Sequence, residues 1–317
     1  MIPTLCDVIV DNLPALKKGR DSYEGPMILI TGATGNIGAE LVKRLSGGRQ
    51  SVRAFVRSRT HAKTIHLPGT ELVEGDFAEP KTFTPALENV DRLFLLIPSS
   101  AEVEQQQRNF VDAAKRSKVK HIVKLSQLGA DEKAPGRFQR YHGAIEKYIA
   151  KADLPYTFLR PNLFMQGLLN FRATISSQGV FYAPAGNAKV SVVDVRDVAS
   201  VAARVLNESG HEGKTYDITG PQALTHAEMA DQLSKAAAKP IKHVDIPADA
   251  MRQALLGFGM PAWQADGLIE DYDHYRRGEA GVVTETVRDV TGSEATSFSE
   301  FAKDYVGRLL GKAAGAA

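Results

Sequence analysis

A glycine-punctuated turn near the N-terminus has residue types and spacing that could bind a dinucleotide. Gly32, Gly35 and Gly38 follow the apolar run Met27–Ile30 and lead into a predicted helix that starts near Asn36. The first glycine can adopt the angles of a tight turn, the second leaves room for a pyrophosphate, and the third allows close helix–strand packing. Amide N–H groups and the helix dipole would then attract the phosphates. A glycine turn that serves packing alone is the alternative.

A cation stands where a second strand is expected to present its ribose-reading residue. This strand ends at Arg57, about 20 residues after the glycine turn, where an acid would accept hydrogen bonds from a free 2′-hydroxyl. A guanidinium can instead bind a 2′-phosphate through two hydrogen bonds. Arg57 therefore favours NADP(H) over NAD(H). Arg59 and Lys63 follow it, and each is interpreted equally well as a solvated surface cation.

Further polar and apolar residues are placed where predicted strands end. Asp76 and Phe77 follow the third strand and would offer the adenine ring a hydrogen-bond acceptor and an apolar face. Ile97, Pro98 and Ser99 end the fourth strand and follow it at the expected switch point of the sheet. We therefore predict cofactor contacts from Gly32, Thr34, Gly35, Asn36, Ile37, Gly38, Arg57, Asp76, Phe77, Ile97, Pro98, Ser99 and Asn162.

Short apolar runs alternate with predicted helices as far as Pro161, a pattern typical of a parallel sheet covered on both faces. The predicted strands are 27–30, 51–57, 71–73, 91–97, 121–126 and 155–160, and the later helices are 101–118 and 138–152. Beyond Pro161 the alternation becomes irregular, as expected where a substrate lobe follows a cofactor-binding scaffold. A short strand is still predicted at 214–218.

Composition excludes several classes of protein. The 317 residues are 43% hydrophobic, enough for a full core, and the net charge of +2 comes from interspersed ions rather than a basic stripe. We expect no nucleic-acid partner. The single cysteine, Cys6, excludes an internal disulfide, and the eight histidines show no metal-binding spacing. The apolar runs are strand-length, so we expect no membrane span and a cytoplasmic protein.

Residues 1–26 form a predicted N-terminal extension, because Met27 could itself start a chain whose first strand follows at once. The segment lacks the basic start and long apolar stretch of a secretion signal. Packing on the domain surface, a subunit contact and a disordered remnant of start-site choice are all compatible with it. A homodimer is accordingly one assembly that the sequence leaves open.

Taken together, these motifs resemble the NmrA-like family of atypical short-chain dehydrogenases/reductases. The resemblance rests on Thr31–Gly38, Gly75–Phe77, His142–Glu146 and Pro155–Arg160, and extends over about residues 27–310. It implies an α/β fold with a Rossmann-type doubly wound parallel sheet and a smaller C-terminal α/β substrate lobe. The expected divisions are an NAD(P)-binding domain at 27–162 and a region at 163–317 that is mainly lobe, with some segments returning to the sheet.

The catalytic pair of ordinary short-chain dehydrogenases is broken in this chain. Those enzymes use Tyr-x-x-x-Lys, in which the lysine lowers the tyrosine pKa. Here Lys147 is present, but Gly143 occupies the tyrosine position. Tyr141 is nearby, yet its offset of six residues from Lys147 puts the two side chains on different helix faces. The sequence therefore argues against carbonyl reduction that depends on such a tyrosine.

His142 is the preferred candidate for proton handling or for orienting a substrate ring. In the phenylcoumaran and isoflavone reductases that the family resembles, a lysine at the corresponding position looks like the proton-handling residue. A histidine titrates near neutral pH and could serve instead. A purely structural histidine is the alternative. Ser126, at the end of the fifth strand, and Tyr141 complete the candidate catalytic set, although a serine bonded only to backbone fits equally well.

The lobe contains candidate pocket residues and clear helix caps. A flat apolar pocket for a ring could use Phe164, Met165, Tyr182 and Trp263, with lobe core as the alternative. The stretch 190–198 resembles the family's return strand and the start of a helix, with Asp194 and Asp197 as cap and scaffold acids. Thr225 with Glu228, and Ser297 with Glu300, have capping-box spacing.

Two functions follow from the resemblance. The first is an NADPH-dependent reductase that transfers hydride to a quinone, azo or other electron-poor aromatic acceptor, whose own electron affinity lessens the need for a strong protein acid. The second is a non-catalytic NADP(H)-sensing regulator that changes its contacts with a protein partner. His142, the aromatic residues and the complete lobe favour the enzyme.

Overall fold

Seven parallel strands make up the central sheet of the computed structural model, which describes residues 25–46, 48 and 50–311. Their order is β3-β2-β1-β4-β5-β6-β8, the arrangement of a Rossmann-type fold with one further strand. Two more strands, β7 and β9, pair in a separate small parallel sheet. The strands are β1 Met27–Ile30, β2 Ser51–Val56, β3 Thr70–Glu74, β4 Arg92–Leu95, β5 His121–Leu125, β6 Tyr156–Pro161, β7 Val180–Ala183, β8 Lys214–Ile218 and β9 Lys242–Asp245.

Helices cover both faces of the central sheet. They are α1 Asn36–Leu45, α2 Phe83–Leu87, α3 Val103–Arg116, α4 Arg137–Ala150, α5 Arg172–Gln178, α6 Val195–Asn207, α7 His226–Ala237, α8 Ala248–Gly257, α9 Ala262–Arg276, α10 Thr286–Thr291 and α11 Phe298–Leu309. One face buries Leu41 of α1 and Val201 of α6, and the other buries Phe110 of α3 and Ile145 of α4. Both faces are covered, so most side chains of the central strands are apolar, with Arg53 of β2 and Lys124 of β5 as buried exceptions.

The predicted α/β fold class is confirmed, and each strand expected before Pro161 is present. The ends differ by at most two residues; the fourth strand, predicted over 91–97, spans Arg92–Leu95. One expectation was wrong, because 190–193 forms only isolated bridges, from Val193 to Phe164 and from Val190 to Leu224. The predicted extension lies outside the described residues except for 25 and 26, and Cys6 lies outside them too.

The chain returns to the sheet after it has entered the lobe. Strand β8 pairs with the outer edge of β6, with Phe158 opposite Thr215, and α6 packs against α1. The lobe has its own core, in which Ile175, Phe181 and Phe301 are fully buried. These positions agree with a region after 162 that is divided between sheet and lobe.

Side-chain caps begin three of the later helices. The Asp194 carboxylate accepts the Arg196 N–H at 2.8 Å at the start of α6, as expected of a cap. Asp197 accepts hydrogen bonds from Thr296, which is a scaffold role. Both capping boxes, at α7 and α11, are formed. None of the helices in the described part of the chain has the length and hydropathy to span a bilayer.

Candidate active site

The glycine turn leads from β1 into α1, and its tip at the helix N-terminus is exposed. Gly32 has φ +62°, and a side chain there would approach the Leu96 carbonyl oxygen to 2.9 Å. A Cβ on Gly38 would lie 2.7 Å from the Ala33 Cα, so this glycine permits the close packing of α1. Around Gly35, which caps α1, the nearest atom to such a Cβ is the Gly32 carbonyl oxygen at 3.3 Å.

The exposed tip of this turn has the properties that a pyrophosphate requires. Thr34, Gly35 and Asn36 are exposed, whereas Ile37 and Gly38 are buried. The first-turn amides of a helix have no acceptor within the helix, and the first turn of α1 carries no acidic residue. Packing within the protein therefore does not explain a glycine at position 35. Room for a phosphate group at the helix N-terminus does.

The two sites predicted to contact the adenosine half both lie on the β2 side of this turn, because the sheet order there is β3-β2-β1. Arg57 directly follows β2 and is exposed, and its guanidinium makes no ion pair with any described residue. Asp76 accepts the Ala78 N–H at 2.9 Å. The Phe77 ring is half-buried and packs edge-on against Phe55, with ring centroids 5.1 Å apart. A cation, a carboxylate and an aromatic ring thus lie at the carboxyl ends of β2 and β3.

A cavity of about 280 Å³ opens at the carboxyl ends of β4, β5 and β6, and α9 forms its roof. It is the site where a Rossmann-type sheet binds the reacting half of its ligands. Predicted residues that line it are Ile97, Pro98, Ser99, Ser126, Tyr141, His142, Asn162 and Phe164. The structure therefore brings together the three catalytic candidates and the residues expected around the nicotinamide.

His142 is paired with a fully buried lysine that the sequence analysis did not single out. The Nζ atom of Lys124 lies 2.7 Å from Nδ1 of His142, and it also donates to the Leu125 carbonyl oxygen at 3.1 Å. Burial lowers the pKa of Lys124 to about 7, with Glu146 opposing the change. The signal for this lysine was its position inside an otherwise apolar strand, where an unpaired ammonium is costly.

The imidazole of His142 is neutral at physiological pH. Burial, followed by the charges of Lys124 and Arg160, holds its pKa well below the ordinary value. When Lys124 is an ammonium it can only donate, so Nδ1 of His142 then accepts and the other ring nitrogen, Nε2, carries the hydrogen. This arrangement favours orientation of a substrate by a hydrogen bond over direct protonation by an imidazolium.

Ser126 is held by a buried ion pair. Its hydroxyl donates to Glu146, whose carboxylate also accepts the Nε–H of Arg160 at 3.0 Å. Ser126 and Glu146 are only 4% and 5% exposed. The serine proton is thus already engaged, which favours a scaffolding role beside the cavity.

Tyr141 lacks the environment of a short-chain dehydrogenase tyrosine. Its hydroxyl lies 2.9 Å from Ser99 Oγ, and burial raises its pKa where such chemistry needs a lowered one. Lys147 is exposed and pairs with Glu132 instead. A Cβ at Gly143 would lie 2.5 Å from the Asp131 Cα, so the loop at 131–132 excludes any side chain from the usual tyrosine position.

The roof helix α9 contributes cavity residues that sequence reasoning missed. These missed residues are Leu268, Asp271 and His274, which line the cavity from α9 beside Tyr275. The Asp271 Oδ1 atom accepts from Gln127 Nε2 at 2.9 Å, and burial raises the pKa of this carboxyl to about 7. The only signal was an acid within a helix that carries several aromatic residues.

Three predicted pocket residues do not line the cavity. Met165 is 1% exposed within the lobe core, and the Tyr182 hydroxyl donates to Gln178. Trp263 packs against Phe138, with ring centroids 5.4 Å apart, and against Tyr141. These contacts favour the alternative of core packing. The described residues contain no cluster of three or more His, Cys, Asp or Glu side chains suited to a metal.

Comparison with known proteins places this geometry among reductases. Residues 25–302 match the NmrA-like family. An NAD(P)H azoreductase from Xenophilus azovorans is 38% identical over 279 residues, covering 88% of this chain and 98% of the relative. The NADPH-dependent quinone oxidoreductase of Escherichia coli in complex with NADPH superposes with a TM-score of 0.78 at 29% identity, covering 88% of this chain and 99% of that one. The NADP(H) complex of Citrobacter sp. triphenylmethane reductase gives 0.77 at 30% identity, covering 87% and 99%.

Proposed function

The chain belongs to the NmrA-like family, and from this premise we propose that it is an NADPH-dependent reductase of a quinone, azo or other electron-poor aromatic acceptor. The observation that carries the proposal is the cavity at the carboxyl ends of β4–β6, beside the glycine turn. Its lining combines apolar side chains with a few convergent polar groups, which is the usual character of a small-molecule site.

The residues present fit the cofactor. The open face of Gly35 and the first turn of α1 would hold the pyrophosphate, Arg57 the 2′-phosphate, and Asp76 with Phe77 the adenine side. Bound NADPH supplies a hydride from its nicotinamide ring. The nicotinamide half is assigned to the segment Ile97–Ser99 and to Asn162, both of which line the cavity.

The protein's part in the reaction is to position the acceptor in this enclosed space. The Nε2–H of His142 can donate a hydrogen bond to a carbonyl or azo nitrogen, and Lys124 fixes the ring that carries it. Phe164 and Leu96 provide apolar contact for an aromatic ring. Acceptors with high electron affinity suit this site, since no tyrosine of lowered pKa is available.

Turnover assays on the purified protein test the proposal. NADPH oxidation should occur with a panel of quinones and azo dyes and be much slower with simple aliphatic ketones. A direct binding titration with NADPH serves as the control for cofactor occupancy. Tight NADPH binding without consumption on any acceptor would contradict the reductase and support the NADP(H)-sensing alternative.

A homodimer and a cytoplasmic location belong to the same proposal. The support for the location is the absence of a membrane-spanning helix from the described part of the chain. For the dimer, the exposed Phe258, at 91% exposure, offers an apolar contact point. Light scattering during gel filtration would decide the assembly, and a monomer at micromolar concentration would exclude the dimer.

A further inference from the structure

We propose that Asp271 is the proton donor to the acceptor as hydride arrives, an inference that rests on the proposed reductase function. The residue lies on α9, the roof of the cavity, across from the strand ends that carry Ile97 and Ser126. It is 7% exposed and lines the cavity itself. An acceptor in this space is therefore enclosed between the cofactor side and the Asp271 carboxyl.

The carboxyl is held in one orientation. Its Oδ1 atom accepts a hydrogen bond of 2.9 Å from Nε2 of Gln127, which itself lines the cavity just after β5. No described residue hydrogen-bonds to Oδ2. With Oδ1 acting as acceptor, the hydrogen of the neutral acid resides on Oδ2, where a ligand in the cavity can take it.

The groups around Asp271 keep its acid form populated near neutral pH. Burial is the main cause of its raised pKa of about 7, the Glu270 charge adds to it, and the Gln127 hydrogen bond opposes it. Among the described residues, no lysine or arginine that would hold the carboxylate ionised lines the cavity. The titratable groups that face it are Tyr141 and His142 of α4 and Glu270, Tyr272, His274 and Tyr275 of its own helix.

Other cavity groups are poorer donors. Burial raises the pKa of Tyr141, so its phenolate would be costly to form. His142 is neutral, and Lys124 is 0% exposed and bonded to it. The Ser126 hydroxyl donates to Glu146. A general acid with a pKa close to the working pH is the effective one. The pKa values of Asp271 and Lys124 both lie at about 7, but of the two only Asp271 lines the cavity.

The step balances with NADPH as the only reductant. Hydride adds two electrons and one hydrogen to the acceptor, leaving NADP⁺ and an anionic oxygen or nitrogen. The Asp271 O–H bond breaks as the new O–H or N–H bond forms, so the products are a neutral hydroquinone or hydrazine and the Asp271 carboxylate. Solvent returns the proton to the carboxylate once the product has left.

Comparison of Asp271→Asn with Asp273→Asn tests the proposal. Asparagine retains the acceptor for Gln127 and is nearly isosteric, so α9 should keep its place. Asp273 is exposed on the same helix and controls for the loss of a negative charge. Single-turnover hydride transfer from NADPH is followed for an azo dye and for a benzoquinone between pH 5 and 9.

In the wild type the azo rate should fall by about tenfold per pH unit above about pH 7, as the acid form is lost. Asp271→Asn should lower that rate by about 100-fold at pH 6 and remove the pH dependence, with a smaller loss for benzoquinone. Asp273→Asn should resemble the wild type. An Asp271→Asn protein with the wild-type rate and pH profile overturns this inference alone. A wild type that reduces neither acceptor overturns the proposed function as well.

Discussion

At the scale of single residues, Gly35 and Gly38 lie three positions apart but are constrained by different neighbours. A side chain at Gly38 would collide with the Ala33 backbone, whereas one at Gly35 meets only the Gly32 carbonyl oxygen. Gly35→Val should therefore weaken NADPH binding by about 100-fold or more, equivalent to about 2.7 kcal/mol, with little change in thermal unfolding. Gly38→Ala should instead destabilise the fold by about 1–3 kcal/mol.

Calorimetric titration and circular dichroism separate these two effects. Normal NADPH binding by Gly35→Val would mean that the turn does not approach a phosphate.

Arg57 should set the choice between the two nicotinamide cofactors. Charge-assisted hydrogen bonds contribute about 1.5–3 kcal/mol, so Arg57→Ala should reduce the preference for NADPH over NADH by about 10- to 100-fold. Arg44→Ala, an exposed cation on α1, is the matched control. Equal wild-type affinities for the two cofactors, or an unchanged ratio in Arg57→Ala, would contradict the assignment.

His142 should contribute modestly to hydride transfer. Loss of one neutral hydrogen bond to the acceptor predicts a decrease of about tenfold for His142→Ala in single-turnover reduction of a quinone. Tyr141→Phe, which keeps the ring but loses the bond to Ser99, should cost less. If the hydride-transfer rate were lost in Tyr141→Phe and unchanged in His142→Ala, the result would support a tyrosine-based mechanism instead.

Residue types in local patterns were predictable from the sequence, whereas partners across the fold were not. The glycine turn and the Asp194 cap depend on near neighbours, and the structure contains both. The pairing of Lys124 with His142 joins a strand to a helix 18 residues later. The contact of Asp271 with Gln127 spans 144 residues, so no spacing rule could reveal it.

At the scale of elements, Arg137 of α4 makes several of the contacts that hold α9 over the cavity. The Arg137 guanidinium on α4 binds the Glu270 carboxylate at 2.7 and 3.0 Å and donates to the Trp263 carbonyl oxygen at 3.1 Å. Both side chains of the Arg137–Glu270 pair are less than a third exposed. This pair is therefore better shielded than a surface salt bridge.

Arg137→Ala should loosen the roof. Amide hydrogen exchange should become faster across residues 262–276, and the KM for the acceptor should rise several-fold with kcat less affected. Arg140→Ala is the control, since this exposed arginine on the same helix bonds only to the Ala134 and Pro135 carbonyl oxygens. Unchanged exchange in α9 would show that other contacts hold it.

The elements of the Rossmann half were predictable because buried parallel strands are short apolar runs between helices. The stretch 190–193 has the same composition but forms only isolated bridges, with Phe164 and Leu224. Val190 and Val192 instead pack in the lobe core with Phe181, whereas Val193 packs in the core against the central sheet. The apolar composition of 190–193 thus predicted its burial correctly, but it could not show whether the segment would pair with a neighbouring strand.

At the scale of the whole molecule, buried neutral histidines should make the fold sensitive to acid. Burial lowers the pKa of both His121 and His226 to about 4. Between about pH 4 and 6.5 the unfolded chain binds protons at these residues that the folded chain does not, so the free energy of unfolding falls as pH falls. Each contributes up to about 1.4 kcal/mol per pH unit, while Asp271 acts in the opposite direction between pH 3.8 and 7.

His226→Phe isolates one of these contributions, because the side chain lies among Phe181, His243 and Tyr272 and no described residue hydrogen-bonds to its Nδ1. Denaturant unfolding should show the variant gaining stability relative to the wild type as pH falls from 6.5 to 4. His66→Gln, at an exposed position, should show the same pH dependence of the free energy of unfolding as the wild type. A variant curve parallel to the wild type would exclude His226 as a source of acid sensitivity.

The return of β8 to the sheet limits how this protein can be divided or fused. A break after residue 162 would remove the partner of the β6 edge and the α6 surface that covers α1, leaving an open strand edge prone to aggregation. The cofactor half therefore cannot be excised as a module. A split reporter or an inserted domain belongs in the exposed turn 257–259 between α8 and α9, where a Cβ on either glycine would meet no described atom within 4 Å. An insertion there would adjoin the roof of the cavity and could couple a second protein's conformation to acceptor entry.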